Sequence, residues 1–454
     1  MTKQGNYSEL SVKLTNDISK KDKKESGIYF TPPDTIKKNI DAIKSYLSIG
    51  KDSEILEPAC GSCEFILALQ SEFPKTSITG IELNNTIYNS IKKYSKKKVK
   101  INQGSFLSWD SDKLYDLVIG NPPYFVENKN DIDKRFHSFF DGRPNIFIPF
   151  IIKSLNLLKD GGILSFVLPT SFMSCLYYDK TREEINKHKI LNIMSCTDKY
   201  IETQQDTVIV IIQKVEKKDS EDGDDGKDGE EEMVDNSKFI VKKNGHTIFG
   251  IEDDITKIKE LYEGAKSLSE LGFKVNVGTV VWNQCKDILT DDNSKTRLIY
   301  SSDINGNKLR ITEFRKPEYE FIKDTSKKDK KDEKMIRVKK IDSTGNIVMK
   351  ETDKKNYIDK EGSNSPLLVV NRGYGVGKYK LEYCLIEEPN YLIENHLICI
   401  KCETDKSKRQ LVALFKKIMK SLSDKKTEDF IKLYFGNSAV NTTELNHILP
   451  IYGM

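Results

Sequence analysis

The sequence lacks any long hydrophobic run and shows no secretory leader. No apolar stretch approaches the roughly 20 residues that cross a bilayer, and the first ten residues, MTKQGNYSEL, contain no apolar signal core. We therefore expect an intracellular, cytoplasmic protein with no membrane partner. Hydrophobic residues make up 37% and charged residues 31% of the 454 positions, which is a globular composition. A chain of this length favours two domains.

Cysteine and histidine are few and scattered, which argues against a disulfide framework and against a metal centre. Two cysteine pairs, Cys60/Cys63 and Cys399/Cys402, have CxxC spacing. The pairs lie much further apart than the about 15–20 residues that separate the two halves of a zinc ribbon. None of the five histidines has the spacing of a ligand cluster, and His396 is expected in a strand or in the core. We expect no metal.

The tetrapeptide NPPY, residues 121–124, follows an apolar run at residues 114–119 that predicts a buried strand. It thus falls at the carboxyl end of a strand, where open α/β sheets bind ligands. The side-chain carbonyl of Asn121 and the main-chain carbonyl of Pro122 can each accept an N–H from a planar amine. Two such bonds push the nitrogen lone pair out of the ring plane toward a methyl donor, while Tyr124 offers a face for stacking. A proline-stiffened turn is the alternative that four residues alone leave open.

Four other segments have the character of a cofactor site. Residues 55–61 predict a short strand that runs into a small-residue loop before a helix, which makes a cradle of main-chain N–H groups. Residues 78–82 predict a second strand, whose last residue, Glu82, has the position that grips ribose hydroxyls in dinucleotide-binding folds. Ser105 and Phe106 follow a third strand and place a ring where an adenine can lie. Upstream, YFTPP at residues 29–33 precedes a helix.

The order of these motifs resembles that of the gamma-class N6-adenine DNA methyltransferases of the Taq I type. The similarity extends from about residue 27 to residue 213. In that class the Thr-Pro segment stands ahead of the cofactor loop, as residues 29–33 stand ahead of residues 57–61 here. The resemblance implies a doubly wound, Rossmann-like α/β fold with S-adenosylmethionine as the cofactor. It also implies methyl transfer to N6 of an adenine that is flipped out of duplex DNA.

The resemblance assigns roles to individual residues. The cofactor would be held by Tyr29, Thr31, Glu57, Pro58, Ala59, Cys60, Gly61, Glu82, Ser105, Phe106 and Asn121. The catalytic residues would be Asn121, Pro122 and Tyr124, and the flipped base would contact Tyr124, Phe150, Tyr200 and Ile201. There are two departures from the family pattern. Ser105 replaces the usual Asp, and the slot for an aromatic on the second face of the base falls on Ile201, with Tyr200 beside it.

The net charge of +4 is unevenly distributed. Residues 216–232 contain ten acids and three lysines, which leaves the rest of the chain strongly positive. We expect residues 216–236 to form an acidic disordered insertion in a hairpin between strands at 208–215 and 238–242. Residues 323–340 contain nine basic and four acidic residues. They are interpreted as a Lys-rich loop, either a solvated face or a contact to phosphates.

The chain is expected to divide near residue 255. Residues 1–255 alternate strands with helices and would form the catalytic domain; within it, a helix at 151–158 is expected to end at Gly161-Gly162. Residues 256–454 would form an α+β target-recognition domain. Within it, residues 372–378, RGYGVGK, predict a Gly-rich turn. We interpret this turn as a basic hairpin tip that reaches a DNA groove through Arg372, Lys378 and Lys380, with a plain turn as the alternative.

The sequence therefore predicts a site-specific, adenine-specific DNA methyltransferase of a restriction–modification or viral system. Double-stranded DNA is the expected partner, a cognate restriction endonuclease is a candidate partner, and a monomer is expected. Two alternatives stay open. One is a methyltransferase of the same core that acts on RNA adenine or on a protein glutamine amide, and the other is a non-catalytic DNA-binding subunit. Binding of S-adenosylmethionine would separate the enzyme from the subunit.

Overall fold

The chain divides into two compact units, Met1–Glu260 and Leu261–Met454. The division lies in the helix Glu252–Tyr262, which also contains the expected boundary near residue 255. The computed structural model describes residues 7–203, 205–216, 234–311, 318–323, 335–343, 346–348, 354–372, 380–403, 405–435 and 440–454. Most of the acidic segment, the centre of the Lys-rich segment and the Gly-rich turn with Lys378 lie outside the described residues.

The first unit contains a large sheet and the helices that cover it. The helices are α1 (Glu9–Asp17), α2 (Lys20–Ser26), α3 (Pro33–Ile43), α4 (Glu64–Glu72), α5 (Asn85–Ile91), α6 (Phe147–Asn156), α7 (Asp179–Ile185) and α8 (Glu252–Tyr262). The strands are β1 (Glu54–Glu57), β2 (Ser77–Glu82), β3 (Val99–Gln103), β4 (Tyr115–Gly120), β5 (Leu158–Pro169), β6 (Lys189–Cys196), β7 (Thr207–Gln213), β8 (Ile240–Lys243) and β9 (His246–Phe249).

The seven-stranded sheet has the order β3-β2-β1-β4-β5-β7-β6. Strands β1 to β5 pair in parallel, and β7 runs antiparallel between β5 and β6. The chain order reverses between β1 and β4, so a crevice opens there at the carboxyl ends of the strands. The expectation of a doubly wound, Rossmann-like sheet is confirmed.

Both faces of the sheet are buried, which explains why its strands read as continuous apolar runs. Along β7, Val208 and Val210 pack in the cluster on one face, together with residues of α6 and α7. The alternating residues Ile209 and Ile211 pack on the other face, with residues of α3, α4 and α5. The central strands of the sheet are therefore covered on both faces, while the edge strands β3 and β6 keep some exposed residues.

Two details of the sequence interpretation of the first unit are wrong. Residues 208–215 do not form a hairpin with residues 238–242, because both edges of β7 are already occupied by β5 and β6, and β8 pairs with β9. Gly161-Gly162 does not end a helix either. Helix α6 ends at Asn156, and both glycines lie within β5, where the register against β4 shifts. Gly161 has a φ of +75°, which a glycine adopts without strain.

The second unit is built mainly from short strands with helices near its end. The strands are β10 (Phe273–Val277), β11 (Leu289–Thr290), β12 (Thr296–Ile299), β13 (Ile304–Asn305), β14 (Lys308–Leu309), β15 (Tyr319–Lys323), β16 (Met335–Lys339), β17 (Tyr357–Ile358), β18 (Leu367–Asn371), β19 (Tyr383–Ile386), β20 (Tyr391–Ile393) and β21 (Leu397–Cys402). The helices are α9 (Lys408–Leu422), α10 (Lys425–Tyr434) and α11 (Thr442–His447).

Two four-stranded sheets, β10-β21-β18-β19 and β11-β17-β12-β20, form the centre of this unit, which makes it α+β. His396 does not lie in a strand or in the core. It lies in the turn between β20 and β21 with a half-exposed side chain, and its Nδ1 contacts Oε1 of the buried Glu394. Among the residues that the structure describes, none of the helices combines the length and hydropathy needed to cross a membrane.

Candidate functional site

A solvent-open cleft of about 1140 Å³ lies at the carboxyl ends of β1 to β4. The loops after these strands form its walls, together with the segment that precedes α3. The cleft brings together nine of the residues assigned from the sequence, namely Tyr29, Pro58, Ala59, Gly61, Glu82, Ser105, Phe106, Asn121 and Phe150. The remaining residues of that assignment lie outside its lining.

Glu82 connects the loop after β1 to the end of β2. Its Oε2 accepts the N–H of Gly61 at 2.9 Å, and its Oε1 accepts the N–H of Asn84 at 2.7 Å. The N–H of Cys60 also bonds to the carbonyl of Ile81 at 2.8 Å. Burial raises the pKa of Glu82 to about 7, while these main-chain N–H groups act in the opposite direction. Each oxygen keeps acceptor capacity toward the cleft.

Glu57 is a second buried carboxylate at this end of the sheet. It is 2% exposed, and among the described residues its Oε2 has no hydrogen-bond partner. Burial, followed by the proximity of Cys63 and Glu82, raises the pKa of Glu57 well above its usual range. An unpartnered carboxylate oxygen in such a place calls for a cation or a donor. S-adenosylmethionine carries both a sulfonium and an ammonium group, so the residues present fit it.

The loop between β1 and α4 is held by buried side chains. The hydroxyl of Ser11, in α1, donates to Glu64, the first residue of α4, and its oxygen lies 2.8 Å from Oγ of Ser62, within hydrogen-bond distance. Cys60 and Cys63 are both buried and free. A hydrogen bond with Cys63, together with burial, raises the pKa of the Cys60 thiol, which therefore stays protonated. The structure gives Cys60 a packing role at the back of the loop.

The side chain of Asn121 is held at the carboxyl end of β4. Its Nδ2 donates to Oγ1 of Thr31 at 3.0 Å and to the carbonyl of Tyr29 at 3.4 Å. Thr31 is buried and lies outside the cleft lining. Its contribution to the site is therefore the hydrogen bond that orients the side chain of Asn121. With Nδ2 engaged in this way, Oδ1 is the atom of Asn121 that can accept a donor.

Tyr124 folds inward against the sheet. Its hydroxyl donates to Oδ1 of Asn121 and contacts the carbonyl oxygen of Val167, in β5, at 2.6 Å. The ring packs edge-on against Phe147, with 6.1 Å between the ring centroids. Burial, followed by the proximity of Tyr200, raises the pKa of Tyr124 well above its usual range, so the hydroxyl keeps its proton.

Gly27 sits directly against the NPPY loop. It ends α2 in the left-handed conformation, with a φ of +62°. A Cβ at this position would lie 2.6 Å from the main-chain nitrogen of Tyr124 and 3.1 Å from Cβ of Pro123. The close approach of the two segments therefore requires glycine, both for the backbone angle and for the space.

Phe150 lies beside Phe106, with 5.0 Å between the ring centroids and a tilt of 46°. Both rings line the cleft together with Ser105. Phe150 thus belongs to the same wall as the two residues assigned to the cofactor's adenine. The sequence predicts Phe150 in the pocket of the target base, whereas its ring partner in the structure is Phe106, and the ring partner of Tyr124 is Phe147.

Tyr200 and Ile201 line a small cavity, which Lys23, Tyr29 and Phe30 also line; Tyr29 and Phe30 belong to the lining of the cleft as well. Tyr200 is buried, and it lies close enough to Tyr124 to contribute to the raised pKa of that residue. The next residue, Glu202, forms an ion pair with Lys23, with 2.5 Å between Nζ of Lys23 and Oε2 of Glu202. The structure therefore places Tyr200 next to Tyr124, and Ile201 beside it in the lining of the small cavity.

The residues assigned to DNA lie in the second unit. Arg372 and Lys380 are exposed, and Lys380 lies 3.5 Å from Glu382. Lys378 falls outside the described residues. In the described ranges, no three His, Cys, Asp or Glu side chains come together as a metal-binding group.

Several residues of the site were not identified from the sequence. No sequence motif marks Ser11 or Glu64, because their contact joins segments more than 50 residues apart. The Val167 carbonyl could not be found from side-chain motifs. Lys153 did carry a signal, since it is a lone lysine in the apolar stretch NIFIPFIIKSLNLL, three residues after Phe150.

Comparison with known proteins agrees with this geometry. A model of the Eco57I restriction-modification methylase family matches residues 26–201. The type II methyltransferase M.CvrRI of Paramecium bursaria Chlorella virus XZ-6E is 25% identical over 448 residues, which cover 98% of this chain and 99% of the viral one. The modification methylase CviBIII of Paramecium bursaria Chlorella virus NC1A is 32% identical over 193 residues, which cover 41% of this chain and 49% of that protein.

Among solved structures, the methyltransferase subunit of a type I restriction-modification system from Streptococcus thermophilus aligns with a TM-score of 0.35 and 17% identity. The alignment covers 52% of this chain and 53% of that chain. Because the TM-score and the identity of this match are low, the fold is assigned from the order of the strands in the sheet. The fold is that of the S-adenosylmethionine-dependent methyltransferases, and S-adenosylmethionine is the cofactor of this class. In sequence, the chain is similar to methylases of restriction–modification systems, including the two viral methyltransferases above.

Proposed function

We propose that the chain is a gamma-class DNA methyltransferase that transfers a methyl group from S-adenosylmethionine to N6 of adenine. The observation that carries the proposal is the position of Asn121. Asn121 lies at the carboxyl end of β4 and lines the cleft, its side chain is oriented by Thr31 through Nδ2, and its Oδ1 accepts from the Tyr124 hydroxyl. An oriented amide oxygen next to an aromatic ring suits a planar amine that is a poor nucleophile.

The chain's own residues would bind and align the reactants. Glu82 would accept the ribose hydroxyls, Phe106 would contact the adenine ring of the cofactor, and Glu57 would face the positively charged amino-acid part. Bound S-adenosylmethionine would supply an electrophilic methyl group on a sulfonium. Catalysis in such a site is mainly alignment and electrostatic stabilisation. No covalent enzyme intermediate and no catalytic cysteine is required, which agrees with the protonated, buried thiol of Cys60.

The target amine would be activated by two acceptors. Oδ1 of Asn121 and the main-chain carbonyl of Pro122 would each accept one of its N–H groups, which directs the nitrogen lone pair out of the ring plane. Tyr124 would stack on one face of the base, and Tyr200 or Ile201 would close the other. A base can reach this site only when it is rotated out of the duplex, at a cost of a few kcal/mol that stacking helps offset.

The second unit would be the target-recognition domain. Its exposed Arg372 and Lys380, with Lys378 between them in sequence, would contact DNA phosphates or bases. Lysine and arginine contacts of this kind supply affinity that falls with salt. The active form would be a monomer, with a cognate restriction endonuclease as a separate partner.

Incubating the purified chain with labelled S-adenosylmethionine and three substrates tests the proposal. The substrates are duplex DNA of mixed sequence, the RNA of the same sequence, and a glutamine-containing peptide. We expect label only in the DNA, and N6-methyl-2′-deoxyadenosine after digestion to nucleosides. Label in RNA or peptide alone, or methylcytosine as the product, would overturn the proposal. The absence of any S-adenosylmethionine binding would indicate the non-catalytic subunit instead.

A further inference from the structure

Lys153 is a buried lysine without a carboxylate partner. It lies on α6, three residues after Phe150, and is 8% exposed. No Asp or Glu of the described residues lies within ion-pair distance of its Nζ, in contrast to Lys159, which pairs with Asp116 at 2.9 Å. Burial of a lysine is costly unless its ammonium group is well solvated by protein atoms. In agreement, burial lowers the pKa of Lys153.

The ammonium group of Lys153 binds the loop that follows β3. Its Nζ donates to the carbonyl oxygen of Leu107 at 3.1 Å and to that of Trp109. Nη2 of Arg135 donates to the same Leu107 carbonyl at 3.0 Å. The cationic groups of Lys153 and Arg135 therefore hold this short loop through its main-chain carbonyls. Such hydrogen bonds are stronger than those between neutral groups, because the donor is charged.

The same ammonium group lies 5.2 Å from the centre of the Phe106 ring, within the range of a cation–π contact. Phe106 is 2% exposed and packs against Phe150. Lys153 thus contacts both the backbone that carries the cofactor-side wall and the ring that forms it. Ser105, the residue before this ring, also lines the cleft and offers only a short hydroxyl to a ligand, so this wall depends on how the loop is held.

We propose that Lys153 is a positioning residue for cofactor binding, which sets the place of Phe106 and of the loop at residues 105–109 so that the cleft accepts the adenine part of S-adenosylmethionine. The inference rests on the proposed function only in taking this wall as the adenine side of the cofactor. Lys153 itself touches no reactant. Its effect would be on cofactor affinity, with DNA affinity unchanged.

Lys153→Met keeps the length of the side chain and removes its donors and its charge. We expect the affinity for S-adenosylhomocysteine, measured by calorimetry, to fall roughly tenfold, because about two charge-assisted hydrogen bonds to the loop are lost. The affinity for 5′-methylthioadenosine, which lacks the amino-acid part, should fall by the same factor. Affinity for a short duplex should stay within about twofold, and Lys153→Arg should recover most of the loss.

Tryptophan fluorescence reports the loop directly, because the chain contains only two tryptophans, Trp109 and Trp282. In a Trp282→Phe background, Trp109 is the sole emitter. Lys153→Met should increase the quenching of Trp109 by acrylamide and shift its emission to the red. Lys159→Met is the matched control, since it removes an equally long lysine of the same unit that pairs with Asp116 and makes no bond to the loop.

A purely structural role gives a different pattern. If Lys153→Met lowers the melting temperature but leaves both nucleoside affinities and Trp109 quenching unchanged well below that temperature, the inference is wrong. An equal loss of affinity in Lys153→Arg and Lys153→Met would also contradict it. A wild-type chain that binds no S-adenosylhomocysteine would overturn the proposed function, whereas wild-type binding with an unaffected Lys153→Met would overturn the positioning role alone.

Discussion

The hydroxyl of Tyr124 donates a hydrogen bond to Oδ1 of Asn121, the oxygen that the proposed function gives to the amine of the target base. The same hydroxyl lies 2.6 Å from the carbonyl oxygen of Val167. One hydroxyl proton cannot be fully donated to both acceptors. Tyr124 can therefore keep Val167 as its partner when Asn121 accepts an N–H from the base. The side chain combines a stacking surface with a donor that can move between two acceptors.

Two substitutions separate these roles of Tyr124. Tyr124→Phe keeps the ring and should keep most of the stacking, so we expect less than a tenfold loss in kcat/KM. Tyr124→Ala removes the ring and should cost about 1–3 kcal/mol in capturing the flipped base. Fluorescence of 2-aminopurine at the target position measures the capture. Equal losses in the two variants would show that the ring face does not stack.

The pH dependence of cofactor affinity should follow Glu82. Burial raises its pKa to about 7, so the carboxylate form, which is the better acceptor for ribose hydroxyls, becomes dominant only above that pH. The dissociation constant of S-adenosylhomocysteine should therefore fall as the pH rises from about 6 to about 8. Calorimetry across this range provides the measurement. Glu82→Gln should bind more weakly and lose the dependence, and an unchanged slope in this variant would assign the titration to another group.

Gly27→Ala should impair both stability and activity. The added Cβ would meet the main-chain nitrogen of Tyr124 at 2.6 Å, in a residue whose φ is +62°. We expect a loss of about 1–3 kcal/mol in the free energy of unfolding, together with a fall in methyl transfer, because the NPPY loop must shift. Gly50→Ala is a suitable control, since nothing lies within 4 Å of its Cβ position. Full activity in Gly27→Ala would show that the approach of the two segments is not needed.

Substitution of Tyr200 and of Ile201 in turn tests which of the two residues contacts the second face of the flipped base. Tyr200 is buried next to Tyr124, which supports it as the closing residue. Tyr200→Ala should then cost about 1–3 kcal/mol in base capture, and Ile201→Ala should cost less. If Tyr200→Ala changes neither the 2-aminopurine signal nor the methylation rate, Tyr124 stacks alone.

The ends of β1, β2 and β4 could be predicted from the sequence, because each of these strands is an apolar run closed by a small or acidic residue. For β2, the run ends at Glu82, and the structure has the strand end there as well. The same rule located Asn121 at the end of β4. These signals are local and follow from burial on both faces of the sheet.

Pairings between distant segments could not be predicted. The sequence predicts a hairpin between residues 208–215 and 238–242, because two strand-like segments flank a loop, but β7 pairs with β5 and β6 instead. The bond between Thr31 and Asn121 spans 90 residues, and a motif that names both residues says nothing of that contact. Lys153 shows the same limit, since its partners are main-chain carbonyls that carry no sequence signal.

The content of N6-methyladenine in DNA from cells that express the chain tests the central claim most directly. We expect the wild-type chain to place N6-methyladenine at a defined sequence, and Asn121→Ala to leave DNA unmethylated. The variant should bind S-adenosylhomocysteine and DNA nearly as well as the wild type, because the two amine contacts matter mainly as charge develops on nitrogen. Loss of at least a factor of about ten in the rate, 1.4 kcal/mol of barrier, is the result that the account predicts. Unmethylated DNA from cells with the wild-type chain, or an Asn121→Ala variant that methylates at more than about a tenth of the wild-type rate, would contradict it.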